Sequence, residues 1–321
     1  MKSLSGKGSV SGGSDSALPQ PVVVDDELLS TLGLRFLAYK RPLLSPGSWT
    51  SVDSKIRIFL GVLAEYHSPE LKVSALTSGM IRDYRDVLLK LPAHRAGFPE
   101  GVSIGEMVKM GLKPISAKTA KDSAVLIKEF LTWIEQENYP IIPGFQSIFT
   151  AVKGPRRQDQ QTRVPYSTDQ LKQLFYSEHY TKGKVSRAAD YWLPLLALFT
   201  GARLAELAQL HLGDIQNVEG VWVLDLNEAD DKRLKSGSSS RQVPIHSRLI
   251  ELGFLEFVDG MKKVKLSARL FPLEMRTAEG KFDAYGKRFN RLRREVGIEG
   301  DEKTRIDFHS FRHTVRTKLA P

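Results

Sequence analysis

Apolar side chains recur at helical spacing in four stretches of the first 140 residues, each bounded by a cap or a proline. Trp49, Ile56, Phe59, Leu60 and Leu63 form the first pattern, with Ser48 as its cap and Pro69 beyond its end. Ile81, Tyr84, Leu88 and Leu91 share one face of a second helix that begins at Thr77 or Ser78 and is closed by Pro92. A short helix is expected over 104–110. The longest begins at the cap residue Ser116, carries Ala120, Ala124, Ile127, Leu131 and Ile134 on one side, and ends at Asn138. Residues 1 to about 25 are rich in Ser and Gly and bury too little surface to offset the entropy of ordering. Residues 1–44 are therefore expected to be a mobile segment, and 45–140 a small helical bundle without a catalytic grouping.

The periodicity lapses over 141–165, where Lys153, Arg156, Arg157 and Arg163 face a single acid, Asp159. This reads as a basic linker, with a solvated loop of no function as the alternative. Tyr166-Ser167-Thr168-Asp169 then has the form of a helix start leading into Leu171, Leu174 and Phe175, and opens a second unit over 166–321. Residues 192–199 and 204–210 are apolar and helical, separated by Thr200-Gly201-Ala202-Arg203, where glycine allows a tight break. Residues 221–226 and 242–245 are β-rich. The polar stretch between them, 229–241, reads as the exposed tip of a hairpin carrying Lys232, Arg233 and Lys235. Helices resume at 287–296 and 308–319. The fold class is mainly α with a small antiparallel β-sheet: an N-terminal helical domain, then a mixed α+β domain.

Composition narrows the function. The 321 residues suit two domains, and 41% hydrophobic with 26% charged residues is ordinary for a soluble globular chain. No apolar run approaches the ~20 residues that span a bilayer, and the start lacks the order of a secretory signal, so a cytoplasmic, nucleoid-associated protein without membrane contact is expected. The absence of Cys excludes disulfides, thiolate metal sites and a Cys nucleophile. A net charge of +10 points to a polyanionic partner, foremost nucleic acid; basicity serving only solubility is the alternative.

Three cationic positions draw attention. Arg203 opens a helix directly after an apolar one, where a charge is costly unless paired. Glu206, three residues on, is placed to hold it, and a purely structural ion pair is the competing reading. In His309-Ser310-Phe311-Arg312 a His and an Arg lie one helical turn apart, with Phe308 and Phe311 as anchors in the core. Lys235 sits in the hairpin tip beside Arg233 and Arg241.

Taken together, these segments resemble the boxes of the tyrosine recombinase, or phage integrase, family. The run Leu198-Phe199-Thr200-Gly201-Ala202-Arg203-Leu204-Ala205-Glu206-Leu207 is similar to the family's first arginine box and His309-Ser310-Phe311-Arg312-His313-Thr314 to its second. Lys235 through Ile245 resembles the hairpin lysine segment, Arg269-Leu270-Phe271-Pro272 a common strand-to-loop element, and 45–140 the SAM-like core-binding domain. The resemblance implies a site-specific recombinase or integrase that cleaves and rejoins DNA through a phosphotyrosine intermediate. Arg203 and Arg312 would clamp the scissile phosphate, His309 would assist, Lys235 would protonate the departing 5′ oxygen, and Glu206 would support the first arginine. Lys153, Arg156, Arg157, Arg233, Arg241, Lys287, Arg288 and Arg291, with Arg293 and Arg294, are expected to face DNA. The expected partners are double-stranded DNA at a specific site and, for a complete member, three further copies in a tetramer. No metal or other cofactor is required, because fixed donors stabilise the transferring phosphoryl group.

The sequence departs from the pattern at one point. Family members place the nucleophilic Tyr a few dozen residues beyond the second box, whereas nine residues follow Arg312 and none is Tyr. The nearest, Tyr285, precedes the box. The expectation is a catalytic domain incomplete at its C-terminus, or a cleavage-dead DNA-binding relative.

Overall fold

The computed structural model describes residues 26–93, 98–99, 101–154, 161–234, 239–277 and 282–319. Within the segment expected to be mobile, the described part is a helix, α1 (Leu29–Lys40). Its Leu29, Leu32, Phe36 and Leu37 recur at spacings of three, four and one, and all four are buried. The Phe36 ring lies 5.1 Å from that of Phe130 on a later helix. Helical spacing hidden behind a Ser/Gly-rich start is the reason the segment folds. Residues 1–25 lie outside the described residues.

Helix α2 (Pro46–Tyr66) is capped by Ser45, not Ser48. The Ser45 hydroxyl accepts from the Ser48 N–H, and Pro46 suits a first turn that has no use for its missing donor. Helix α3 (Ser78–Leu88) is capped by Thr77, as its sequence predicts. A reciprocal pair between Ser103 and Glu106 starts α4 (Ile104–Lys109), and Ser116 caps α5 (Ala117–Gln136). Part of the expected linker is also helical: α6 (Gln146–Thr150), where Phe145, Ile148, Phe149 and Val152 join the same apolar cluster as α1, α2, α3 and α5. That core therefore runs from Leu29 to Val152, well outside the expected bounds of 45–140.

A second apolar cluster runs from Tyr166 to Phe311. It follows the two-residue strand β1 (Thr162–Arg163). Ser167 and Gln170 cap α7 (Thr168–Phe175), and α8 (Glu178–Thr181) follows at once. Helix α9 (Ala188–Thr200) contains Pro194, which leaves the Asp190 carbonyl without its helical donor; the Tyr180 hydroxyl donates to it at 3.1 Å. Gly201 ends α9 in the left-handed region, φ 63°, and α10 (Leu204–Ala208) begins three residues later.

The sheet has three antiparallel strands in the order β2 (Ile215–Val218), β3 (Val221–Leu226), β4 (Arg241–Pro244), with Leu224 opposite both Ile215 and Val243. Only β3 and β4 were expected; β2 is short and half exposed, so its alternation is faint. Helices α11 (Ser247–Glu251) and α12 (Phe254–Val264), also unexpected, put Leu249, Phe254 and Val258 into the core. Helix α13 (Asp283–Glu295) precedes β5 (Thr304–Arg305), which pairs in parallel with β1. Helix α14 (Ser310–Leu319) then packs against α9.

Lys232 lies in the stretch expected to be exposed, yet it is buried in an ion pair with Asp214 at 2.5 Å. Asp214 also accepts from Asn227 and from the His211 N–H, which satisfies the charge that burial would otherwise penalise.

Candidate functional site

The site is assembled where two chain turns meet. Gly201 lets the chain leave α9 abruptly, and a Cβ there would lie 3.1 Å from Val315 Cγ1, so α14 closes directly on this turn. Arg203 occupies the cap position of α10. Its N–H donates to Glu206 Oε2 at 3.0 Å, and its Nη1 donates to Glu206 Oε1 at 2.5 Å and to Ser239 Oγ at 3.3 Å. Arg241, at the start of β4, donates from Nη2 to the same Glu206 Oε2 at 3.0 Å. One buried carboxylate thus orients two guanidinium groups from different elements. Burial opposes the charge on Glu206, but the Arg203 N–H, the Arg203 guanidinium and Arg241 outweigh it and hold the carboxyl below the usual range.

Arg312 comes from α14. Its Nη1 donates to the Gly201 carbonyl at 2.8 Å, two residues before Arg203. Burial, then the nearby Arg203 charge, push its guanidinium below the ordinary value; Glu206 opposes this, and Arg241 and Arg316 add to it. His309 lies one turn earlier, half buried, its ring 5.6 Å from that of His313. Burial, then Arg163 and His313, hold its imidazole below the ordinary 6.5, with Arg312 contributing and Asp307 opposing. Phe308 and Phe311 are buried beneath, as their positions predict.

Two of the four expected cations, Arg203 and Arg312, are therefore brought together beside Glu206, and His309 stands one turn before Arg312. Lys235, Arg156 and Arg157 lie outside the described residues.

The model of the phage integrase family matches residues 166–321. The chain carries a phage integrase family domain. Among solved structures, a lambda integrase tetramer bound to a Holliday junction is 15% identical, with TM-score 0.57, over 95% of this chain and 77% of that one. The Tn1549 transposon integrase in complex with circular intermediate DNA is 16% identical, with TM-score 0.56, over 92% and 89%. The XerH site-specific recombinase bound to palindromic difH substrate is 16% identical, with TM-score 0.55, over 92% and 86%. At these identities the likeness is one of fold. No curated protein matches the chain.

Within the integrase domain, some expected DNA contacts are otherwise engaged. Arg288 donates to Asp190 Oδ1 at 2.9 Å and to the buried Glu274 at 2.6 Å, so it ties α13 to α9 and does not face outward. Arg293 is buried and donates to the Ile298 carbonyl. Helix α13 turns one side to the core through Tyr285 and Phe289, and these two arginines lie toward that side. Lys287, Arg291 and Arg294 are exposed, as are Lys153 and Arg233. Arg241 belongs to the Glu206 cluster rather than to an outer contact.

Sequence reasoning missed Asp307 as a structural centre. Arg163 grips its carboxylate with Nε and Nη2, both at 2.9 Å, and Arg305 Nε lies 3.0 Å away. Partners 144 residues apart leave no local signal. Tyr285 is fully buried beside Phe289 and Phe308, and burial raises its hydroxyl well above the usual range. Among the described residues no helix is long and apolar enough to cross a membrane.

Proposed function

We propose that the chain is a tyrosine-recombinase unit that binds double-stranded DNA at a specific site and holds one backbone phosphate between Arg203, Arg312 and His309. The observation that carries this reading is the shared arrangement of Arg203 and Arg312: one is anchored to Glu206, the other to the Gly201 carbonyl beside it. Planar guanidinium groups present paired donors matched to two phosphate oxygens. Their fixed placement would stabilise charge that develops on the phosphoryl group with little reorganisation. A neutral imidazole at His309 supplies one further N–H donor.

The reaction is transfer of a phosphoryl group from a DNA 5′ oxygen to a tyrosine oxygen. The tyrosine–phosphorus bond forms as the hydroxyl releases its proton to solvent, the bond to the 5′ oxygen breaks, and a proton reaches the leaving oxygen, with Lys235 as its donor. Rejoining is the reverse. On this reading the attacking hydroxyl belongs to a tyrosine that is not among the nine of this sequence. A second reading, DNA binding without cleavage, is favoured by the burial of Tyr285, the tyrosine nearest the second box in sequence. Assembly as a tetramer on DNA is carried over from the lambda integrase likeness alone.

A nicked duplex that traps covalent intermediates separates the readings. Residues 1–321 are expected to bind it with an affinity that falls steeply with salt and to form no adduct; cleavage should appear when a tyrosine-bearing subunit is added. Absence of binding would remove the DNA reading, and an adduct mapped to one of the nine tyrosines would remove the external nucleophile.

A further inference from the structure

We propose that Arg163 is a positioning residue for His309, acting through Asp307. This deepens the proposed function, since it takes His309 as a phosphate donor, but the linkage itself is a property of the free protein.

The geometry is continuous from one end to the other. Arg163 stands in β1, just before the integrase domain, and β1 is fixed to β5 by Thr162 N–H to the Lys303 carbonyl at 2.8 Å and Val164 N–H to the Arg305 carbonyl at 3.1 Å. From there its guanidinium reaches both Asp307 oxygens, a two-pronged contact that fixes the direction of the carboxylate as well as its charge. Asp307 Oδ1 accepts the His309 N–H at 2.9 Å. The Asp307 N–H donates to Ser310 Oγ at 3.2 Å, and its carbonyl accepts from the Tyr166 hydroxyl at 3.2 Å. Every polar group of Asp307 is therefore occupied, and the turn that presents His309 is set by a residue held from β1.

The pairing also has an electrostatic consequence. Arg163 disfavours a proton on His309 directly, and it neutralises the carboxylate that would favour one. Removal of Arg163 leaves Asp307 with the more exposed Arg305, so both effects run the same way: His309 becomes easier to protonate and its backbone N–H less firmly held.

The test uses the whole chain without DNA, so its outcome is independent of whether the site binds a phosphate. Histidine ring signals are followed by NMR through a pH titration in the wild type, Arg163→Ala and Arg163→Lys, with His309→Gln to assign the resonance. Hydrogen exchange is measured over the peptide containing His309. Arg163→Ala should raise the His309 pKa toward 6.5 and speed exchange at its amide. Arg163→Lys keeps the charge but not the fork, so it should speed exchange with a smaller pKa rise, and it also decides the matter should the alanine variant fail to fold. Unchanged exchange at His309 in Arg163→Lys, or an unchanged pKa in a folded Arg163→Ala, overturns the proposal. Failure of DNA binding in the separate assay would instead count against the phosphate reading alone.

Discussion

Arg203 and Arg288 are both arginines paired with buried acids, yet their replacement should have different consequences. Glu206 is shared, so Arg203→Ala leaves it with Arg241, and the fold should survive while cleavage of the trapping duplex, with a tyrosine-bearing subunit present, is lost. Most DNA affinity should remain, because many phosphate contacts contribute to it. Loss of the circular dichroism signal in Arg203→Ala would instead support a purely structural ion pair. Arg288→Ala strips the buried Glu274 of its closest partner, leaving Arg187 at 3.5 Å. A cost of about 3 kcal/mol is expected by urea unfolding, with an unchanged salt slope for DNA binding. Replacing the exposed Lys287 and Arg291 together should do the opposite, lowering the slope without affecting stability.

His309 gives the pH dependence at this scale. Its folded pKa lies below the ordinary 6.5, so the unfolded chain binds the proton more readily. Stability should therefore fall as pH drops beneath 6.5 toward the lowered folded value. Urea midpoints recorded between about pH 7 and pH 5 should show a shallower decline in His309→Gln.

At the scale of elements, capping was the most legible feature. Thr77, Ser116 and Ser167 each announce a helix because the cap and its N–H partner lie within three residues. What could not be read locally depends on remote partners. The five basic residues between 287 and 294 look alike in sequence; Asp190 and Glu274 withdraw Arg288, and burial withdraws Arg293. The short β2 carries too few alternations to be seen, and α1 was obscured by the composition before it. Gly201 was legible as a break but not as a contact. A Cβ there would combine an unfavourable left-handed backbone with crowding against Val315, so Gly201→Ala should lower stability by about 1 kcal/mol or more and disturb the seat of Arg312. Thermal unfolding together with the DNA-cleavage assay checks both parts.

For the whole molecule, the family boxes make the integrase domain recognisable in sequence, whereas the helical core extends beyond 45–140 at both ends. Deleting 1–44 tests this directly. Leu29, Leu32, Phe36 and Leu37 would all be lost from the core, at roughly 1.5–3 kcal/mol for each fully buried side chain. Residues 45–321 should therefore melt well below the full chain, with the loss confined to the helical transition. The parallel pairing of β1 with β5 has a temporal consequence during synthesis. A ribosome that has released 280 residues has made the first strand but neither its partner nor the helix that covers α9. The integrase domain must wait with that apolar surface uncovered, and contacts spanning more than 140 residues close it only after residues 304–319 have emerged.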